Sequence, residues 1–238
     1  MRLLLSGEGP SDLGQCIYPL ALCDGEDFQH GPMTRLLLSL LSMQANIQPA
    51  ISYISKAELV AATKQQKPNR MNRIRGKKTG AETRYFYDNA KSLGMKAKQL
   101  AEDLKDVVIA IFFRDVDGTN SHPGRWADKV KSVQEGFLAA AFELGVPMLP
   151  TPKSEAWLLC IATGQAGNSC KNLEELPGND RSPNNAKAKL DDALGEHFNA
   201  DQLADWVANQ PIHFDRLRTM PSFASFEESL TAAIRQTT

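Results

Sequence analysis

Apolar residues along this chain fall into two kinds of run. Short unbroken blocks, Leu3-Leu4-Leu5-Ser6, Ala50 to Ile54, Val107 to Phe113 and Val146 to Leu149, read as strands buried on both faces. Between them apolar residues recur at the helical period. Met33, Leu36, Leu37, Leu40 and Leu41 predict a helix from about Pro32 to Gln44, with proline in its first turn. A helix at Lys56 to Thr63 follows, then one from about Ala81 to Leu104 with Gly94 as its weak point, and another from Trp126 to Leu144 closed by Gly145. Strands alternating with long helices indicate an α/β fold with a mostly parallel sheet flanked by helices.

The last third departs from this rhythm. Gly164 to Asn185 is rich in Gly, Asn, Ser and Pro and reads as a mobile loop, followed only by helical segments near Ala186–Leu194, Asp201–Ala208 and Phe223–Ile234. The expected division is therefore an α/β domain at 1–163, a flexible loop at 164–185 and a small helical C-terminal appendage at 186–238.

Two of the predicted strands stop at acids. Val107 to Phe113 runs into Arg114-Asp115-Val116-Asp117-Gly118, and alternate residues just past a strand point to nearby positions, so Asp115 and Asp117 converge on one volume. Leu3 to Ser6 runs into Gly7-Glu8-Gly9-Pro10-Ser11-Asp12. Strand-end loops of an open α/β sheet collect on its ligand-binding edge, and anions gathered there call for a divalent cation, Mg²⁺ or Mn²⁺. Glu8, Asp12, Asp115 and Asp117 are the expected ligands. Glu155, opening a helix after the strand at Val146 to Leu149, adds a further carboxylate, and Lys153 offers a cation to a phosphate.

Charge changes the picture next. The net charge is −1, yet Lys64, Lys67, Arg70, Arg73, Arg75, Lys77, Lys78 and Arg84 stand against Glu82 alone, a local +7 that leaves −8 elsewhere. Next to it lie Tyr85, Phe86 and Tyr87. An acidic body with one basic stretch beside aromatics suits nucleic-acid backbone contact by Arg70, Arg73, Arg75, Lys77, Lys78 and Arg84, with rings for unpaired bases.

Several other readings are weaker. Gly7-Glu8-Gly9 with Gly14 is a poor phosphate loop, because Pro10 lacks an N–H and Glu8 is anionic. Asp115 to Asn120 lacks the Gly and the terminal Glu of a calcium loop, Asn120 and Trp126 standing in those places. His122, in the loop after Asp117, reads either as a surface residue or as a contact to a leaving group, whereas His30, His197 and His213 carry no signal. Cys16, Cys23, Cys160 and Cys170 show no zinc spacing and are expected as structural thiols, with no disulfide framework implied. Apolar runs are too short to span a bilayer, and the expected location is cytoplasmic.

Asp115-Val116-Asp117-Gly118-Thr119 resembles the first motif of haloacid-dehalogenase-like phosphatases, which would make Asp115 a nucleophile. That motif should follow the first strand of its domain, its later acidic pair would have to be Asp191-Asp192 in a helical context, and Glu8 would have no role. A glycine-flanked Glu8 after strand one, followed by Asp115-Val116-Asp117 after a later strand, resembles the TOPRIM domain of topoisomerases, primases, small-RNA maturases and overcoming-lysogenization-defect nucleases. Pro150-Thr151-Pro152-Lys153-Ser154-Glu155-Ala156-Trp157-Leu158-Leu159 and the tail Met220-Pro221-Ser222-Phe223-Ala224-Ser225-Phe226 are similar to segments of a bacterial TOPRIM-like group. The basic stretch at 64–84 is an insertion relative to that domain.

The resemblance implies a TOPRIM-like Rossmannoid fold and metal-dependent phosphodiester cleavage of DNA or RNA, with Glu8, Asp115, Asp117 and Lys153 in the chemistry. It also implies a role in anti-phage defence or nucleic-acid processing beside a separate ATPase, since this chain has no P-loop. A metal- or nucleic-acid-binding regulatory protein without turnover is the expectation from another class.

Overall fold

In the computed structural model the described residues are 1–7, 9–45, 48–65, 79–116, 123–164 and 169–237. Glu8, Asp117, His122 and the basic run Arg70, Arg73, Arg75, Lys77 and Lys78 lie outside them.

Strand β1 (Arg2–Gly7) is central. It pairs in parallel with β5 (Ala50–Ile54) on one side and with β6 (Val108–Phe113) on the other, and β6 pairs in parallel with β7 (Gly145–Met148). The edge strand β3 (Leu22–Asp24) runs antiparallel to β5, giving the order β3-β5-β1-β6-β7. Strands β2 (Gly14–Cys16) and β4 (Phe28–His30) form a separate antiparallel ribbon. All six residues of β6 are buried, as an unbroken apolar run between two helical layers requires.

Alternation sorts the core. Leu3, Leu5, Ile109, Ile111 and Phe113 face the helices α1 (Pro32–Ala45), α5 (Ser154–Ala162), α7 (Ala200–Asn209) and α9 (Pro221–Arg235). Leu4, Val108, Ala110 and Phe112 face α3 (Thr79–Leu104) and α4 (Pro123–Ala139), with Leu59 of α2 (Lys56–Gln65) at the margin. Each Leu, Ile, Val or Phe among them contributes about 1.5–3 kcal/mol by leaving water. The C-terminal helices, including α6 (Ala186–Leu194) and α8 (Phe214–Leu217), bury Leu190, Val207, Leu217, Phe223 and Leu230 in the same cluster as the first sheet face.

The structure departs from the sequence reading at several elements. The residues between β1 and α1, expected as loop, contain β2, β3 and β4, each three residues long and too short for alternation to register. Helix α4 ends at Ala139 and not at Leu144, because Ala141 takes a left-handed φ of 50° and turns the chain. Gly145 belongs to β7, where a Cβ would run into the Phe137 ring. Gly94 does not weaken α3; a Cβ there would press on Ala140 and Phe137, so the glycine lets α3 and α4 approach.

The expected free thiols are two disulfides, Cys16–Cys23 and Cys160–Cys170, with Cα separations of 5.7 and 5.6 Å. The first closes the turn between β2 and β3, and the second ties the end of α5 to a 3-10 turn at Lys171–Glu175. Spacings of 7 and 10 residues carry no signature, so only the folding of these turns brings the sulfurs together. Among the described residues no helix is long and apolar enough to cross a membrane.

Candidate active site at the carboxyl edge of the sheet

The chain leaves β1 towards β5, with α1 on one face, and leaves β6 towards β7, with α4 on the other. Connections that diverge from adjacent parallel strands open a crevice at their carboxyl ends, the usual ligand position of an open α/β sheet. Both acidic loops begin there.

Gly7 is the last residue of β1, and a Cβ on it would strike the Phe113 carbonyl, so close pairing of β1 with β6 requires glycine at this point. Gly9 then turns in the left-handed region, φ 71°. The loop ends stitched to α1: the Asp12 carbonyl accepts the Met33 N–H at 3.0 Å, and the Leu13 carbonyl accepts from the Thr34 hydroxyl at 2.6 Å and the Gly31 N–H at 2.8 Å. The backbone of Asp12 is thereby fixed.

Asp115 is held as firmly. Beyond β6 the pairing continues through Arg114 N–H to the Met148 carbonyl at 3.2 Å and Val116 N–H to the Pro150 carbonyl at 3.1 Å. Buried Lys129 donates to the Val116 carbonyl at 2.5 Å, and the Trp126 indole donates to the Leu149 carbonyl at 2.9 Å.

The two acids meet on one residue. Ser154, 2% exposed at the start of α5, donates its hydroxyl to Asp12 Oδ1 at 2.6 Å and its backbone N–H to Asp115 Oδ1 at 2.9 Å. Glu155 Oε2 lies 3.5 Å from the same hydroxyl. An acid at the first turn of a helix is favoured by the exposed N–H groups and the helix dipole, worth about 0.3–1 kcal/mol. Asp12, Asp115 and Glu155 are all partly exposed, so solvent reaches the cluster. The sequence reading missed Ser154; its place between Lys153 and Glu155 marks a helix start but says nothing of Asp12.

Of the other expected site residues, Lys153 is extended at the N-cap of α5 and bonds to Asp180 at 2.7 Å. Arg84 is exposed and paired with Asp88 at 3.2 Å, one helical turn away. The Arg114 guanidinium lies 4.1 Å from the centre of the Tyr85 ring. The start of α3, where the basic stretch ends, is therefore in contact with the neighbour of Asp115. Asp191 and Asp192 sit in helix α6, with Asp191 3.1 Å from His197.

The two C-terminal sequence motifs belong to one cluster behind the site. The Trp157 indole donates to the Ser222 hydroxyl at 2.8 Å, and its ring packs on Phe223 and Phe226. Ser222 in turn donates its hydroxyl and its N–H to Glu174, whose carboxyl is pushed up by burial against those bonds. Arg216, also buried, donates to the Cys160 carbonyl at 2.8 Å. This packing sets the position of α5 and hence of Ser154.

Among the described residues no three His, Cys, Asp or Glu side chains lie close enough to hold a metal ion. Asp12 and Asp115 supply hard oxygen donors of the kind Mg²⁺ and Mn²⁺ prefer, already oriented by Ser154. No family model, curated protein or solved structure matches this chain.

Proposed function

We propose that the protein is a TOPRIM-like, Mg²⁺- or Mn²⁺-dependent phosphodiesterase acting on DNA or RNA. The observation that carries this reading is the convergence of Asp12 and Asp115 on Ser154, at the edge where β1 and β6 end. Glu8 and Asp117 follow the same two strands in the sequence and, with Glu155, would supply the further oxygen donors such an ion takes. A bound divalent ion would polarise the phosphate and lower the pKa of an attacking water. The chain's own part is to orient the carboxylates through Ser154 and the β6–β7 pairing, while Lys153, drawn from Asp180, neutralises a phosphate oxygen.

Substrate access is supported by the Arg114–Tyr85 contact, which ties the end of the basic stretch to the neighbour of Asp115. The resemblance adds a setting in anti-phage defence with a separate ATPase, in the cytoplasm. In a reducing compartment the two cystines would stand as neighbouring thiols.

The test is cleavage of labelled single- and double-stranded DNA and RNA with Mg²⁺ or Mn²⁺. Asp115→Asn and Glu8→Gln should each abolish cleavage with a thermal midpoint equal to or above wild type, because removing one of several crowded anions relieves repulsion. Hydrolysis of para-nitrophenyl phosphate that is lost in Asp115→Asn but kept in Glu8→Gln would replace this reading with a phosphatase that uses Asp115 as nucleophile. Mn²⁺ binding with no turnover of any substrate would leave a regulatory protein.

A further inference from the structure

A cleft of about 280 Å³ opens beside the acids, between the loop at Pro10–Ser11, the β2–β4 ribbon and the start of α7. Ser11, at its rim, donates to Asp12 Oδ2 at 3.1 Å, so the cleft begins one residue from the carboxylate that Ser154 holds. Its volume falls just under the roughly 300–1,000 Å³ of drug-sized ligand pockets, so its occupant is a small group such as a single heterocycle.

The lining is polar but carries little charge. The Gln15 amide donates to the Gln29 carbonyl oxygen at 3.1 Å, and the Gln29 amide donates to Asp201 at 2.8 Å. Each amide nitrogen carries two N–H groups, so a second donor remains on each beyond these bonds. His30 stands on the wall, packed on Phe28, with its pKa lowered by burial and by Arg35, so its ring is neutral at pH 7. Among the described residues that line the cleft there is no Lys or Arg, and Asp201 is an anion. That composition offers phosphate no cation in the lining and suits the edge of an uncharged ring bearing both donors and acceptors.

Resting on the phosphodiesterase reading, we infer that this cleft receives an unpaired nucleobase of the strand whose phosphate lies at Asp12 and Asp115. Gln side chains pair with base edges through the donor and acceptor of one amide, and a base reaches such a pocket only when it is out of the duplex. The substrate class is therefore single-stranded nucleic acid, or a duplex with an unpaired nucleotide next to the scissile bond.

The inference is tested on the full chain by following the side-chain amide signals of Gln15, Gln29 and Asn199 by NMR while adenosine, guanosine, cytidine and uridine are added in turn without metal. Saturable shifts at these amides with at least one nucleoside, and none with inorganic phosphate, are expected. Gln29→Ala and, separately, Gln15→Ala should weaken that nucleoside about tenfold. Mn²⁺ binding, read from broadening around Asp12 and Ser154, should persist in both variants. Absence of shifts, or affinity retained in both variants, overturns the cleft assignment. Nucleoside binding without Mn²⁺ binding would instead leave the cleft standing and remove the phosphodiesterase reading.

Discussion

The Ser154 hydroxyl donates to Asp12 at 2.6 Å across 142 residues of sequence, while the N–H of the same serine binds Asp115. One buried residue thus sets the spacing of carboxylates that arrive from two different strands. A hydrogen bond to a charged group contributes about 1.5–3 kcal/mol, enough to choose one rotamer of Asp12 over its alternatives.

Ser154→Ala should therefore keep the backbone bond to Asp115 and remove the hydroxyl bond to Asp12 Oδ1. The expected result is a loss of about tenfold or more in Mn²⁺ affinity, the scale seen when outer partners of metal ligands are removed. Ser154→Thr, which keeps the hydroxyl, should recover most of it. Titration followed by calorimetry would read both; equal affinity in all three proteins would reduce Ser154 to a packing residue.

Neutralising Arg70, Arg73, Arg75, Lys77 and Lys78 together should weaken nucleic-acid binding and flatten its dependence on salt. For every phosphate that is no longer neutralised, the logarithmic slope falls by about 0.9 on duplex DNA or about 0.7 on single strands. Mn²⁺ binding should be unaffected. A wild-type slope would remove the basic stretch from substrate binding.

Reduction of the disulfides should destabilise the fold. Closing loops of 7 and 10 residues restricts the unfolded chain by about 2–3 kcal/mol each. Urea unfolding with and without reductant reads the sum, and Cys160→Ala with Cys170→Ala isolates the pair nearest Trp157 and Arg216. An unchanged midpoint under reduction would mean that neither crosslink forms in solution.

Glu174 gives a pH dependence of definite sign. Burial raises its pKa above 4.5 in the folded state, so its contribution to stability is complete below 4.5 and is lost as the pH rises through the folded value. Glu174→Gln keeps an acceptor for Ser222 and cannot ionise. Its stability relative to wild type should therefore increase as the pH rises from below 4.5 through the folded value, measured by chemical denaturation at each pH. His30 acts in the opposite sense below 6.5, and because it is present in both proteins the comparison cancels it.

Much of the frame was legible because burial on two faces leaves a local mark. The runs at Leu3–Ser6, Ala50–Ile54 and Val107–Phe113 are strands, and the stripe through Met33, Leu36 and Leu40 is a helix, within a residue or two of the expected bounds. Asp12 and Asp115 were legible as acids at strand ends, and both hydrogen-bond to Ser154. Glu8 and Asp117 lie outside the described residues. The ribbon of β2 and β4 left no mark, because three residues per strand are held by partners, Gly14 opposite His30 and Cys16 opposite Phe28, and not by a pattern of their own.

Hydrophobic period and strand-end acids by themselves determined an α/β protein with anionic chemistry at the ends of its strands, since both depend on neighbours a few residues apart. The crosslinks, the early end of α4 at Ala139, the cleft at Gln15 and Gln29 and the bridge through Ser154 were decided only in three dimensions. Each of these joins groups that are short or polar, and a short polar group acquires its energy from the partner it meets. Ser154 is an ordinary helix-start serine until α5, pressed into place by Trp157 against Phe223 and Phe226, carries its hydroxyl to Asp12.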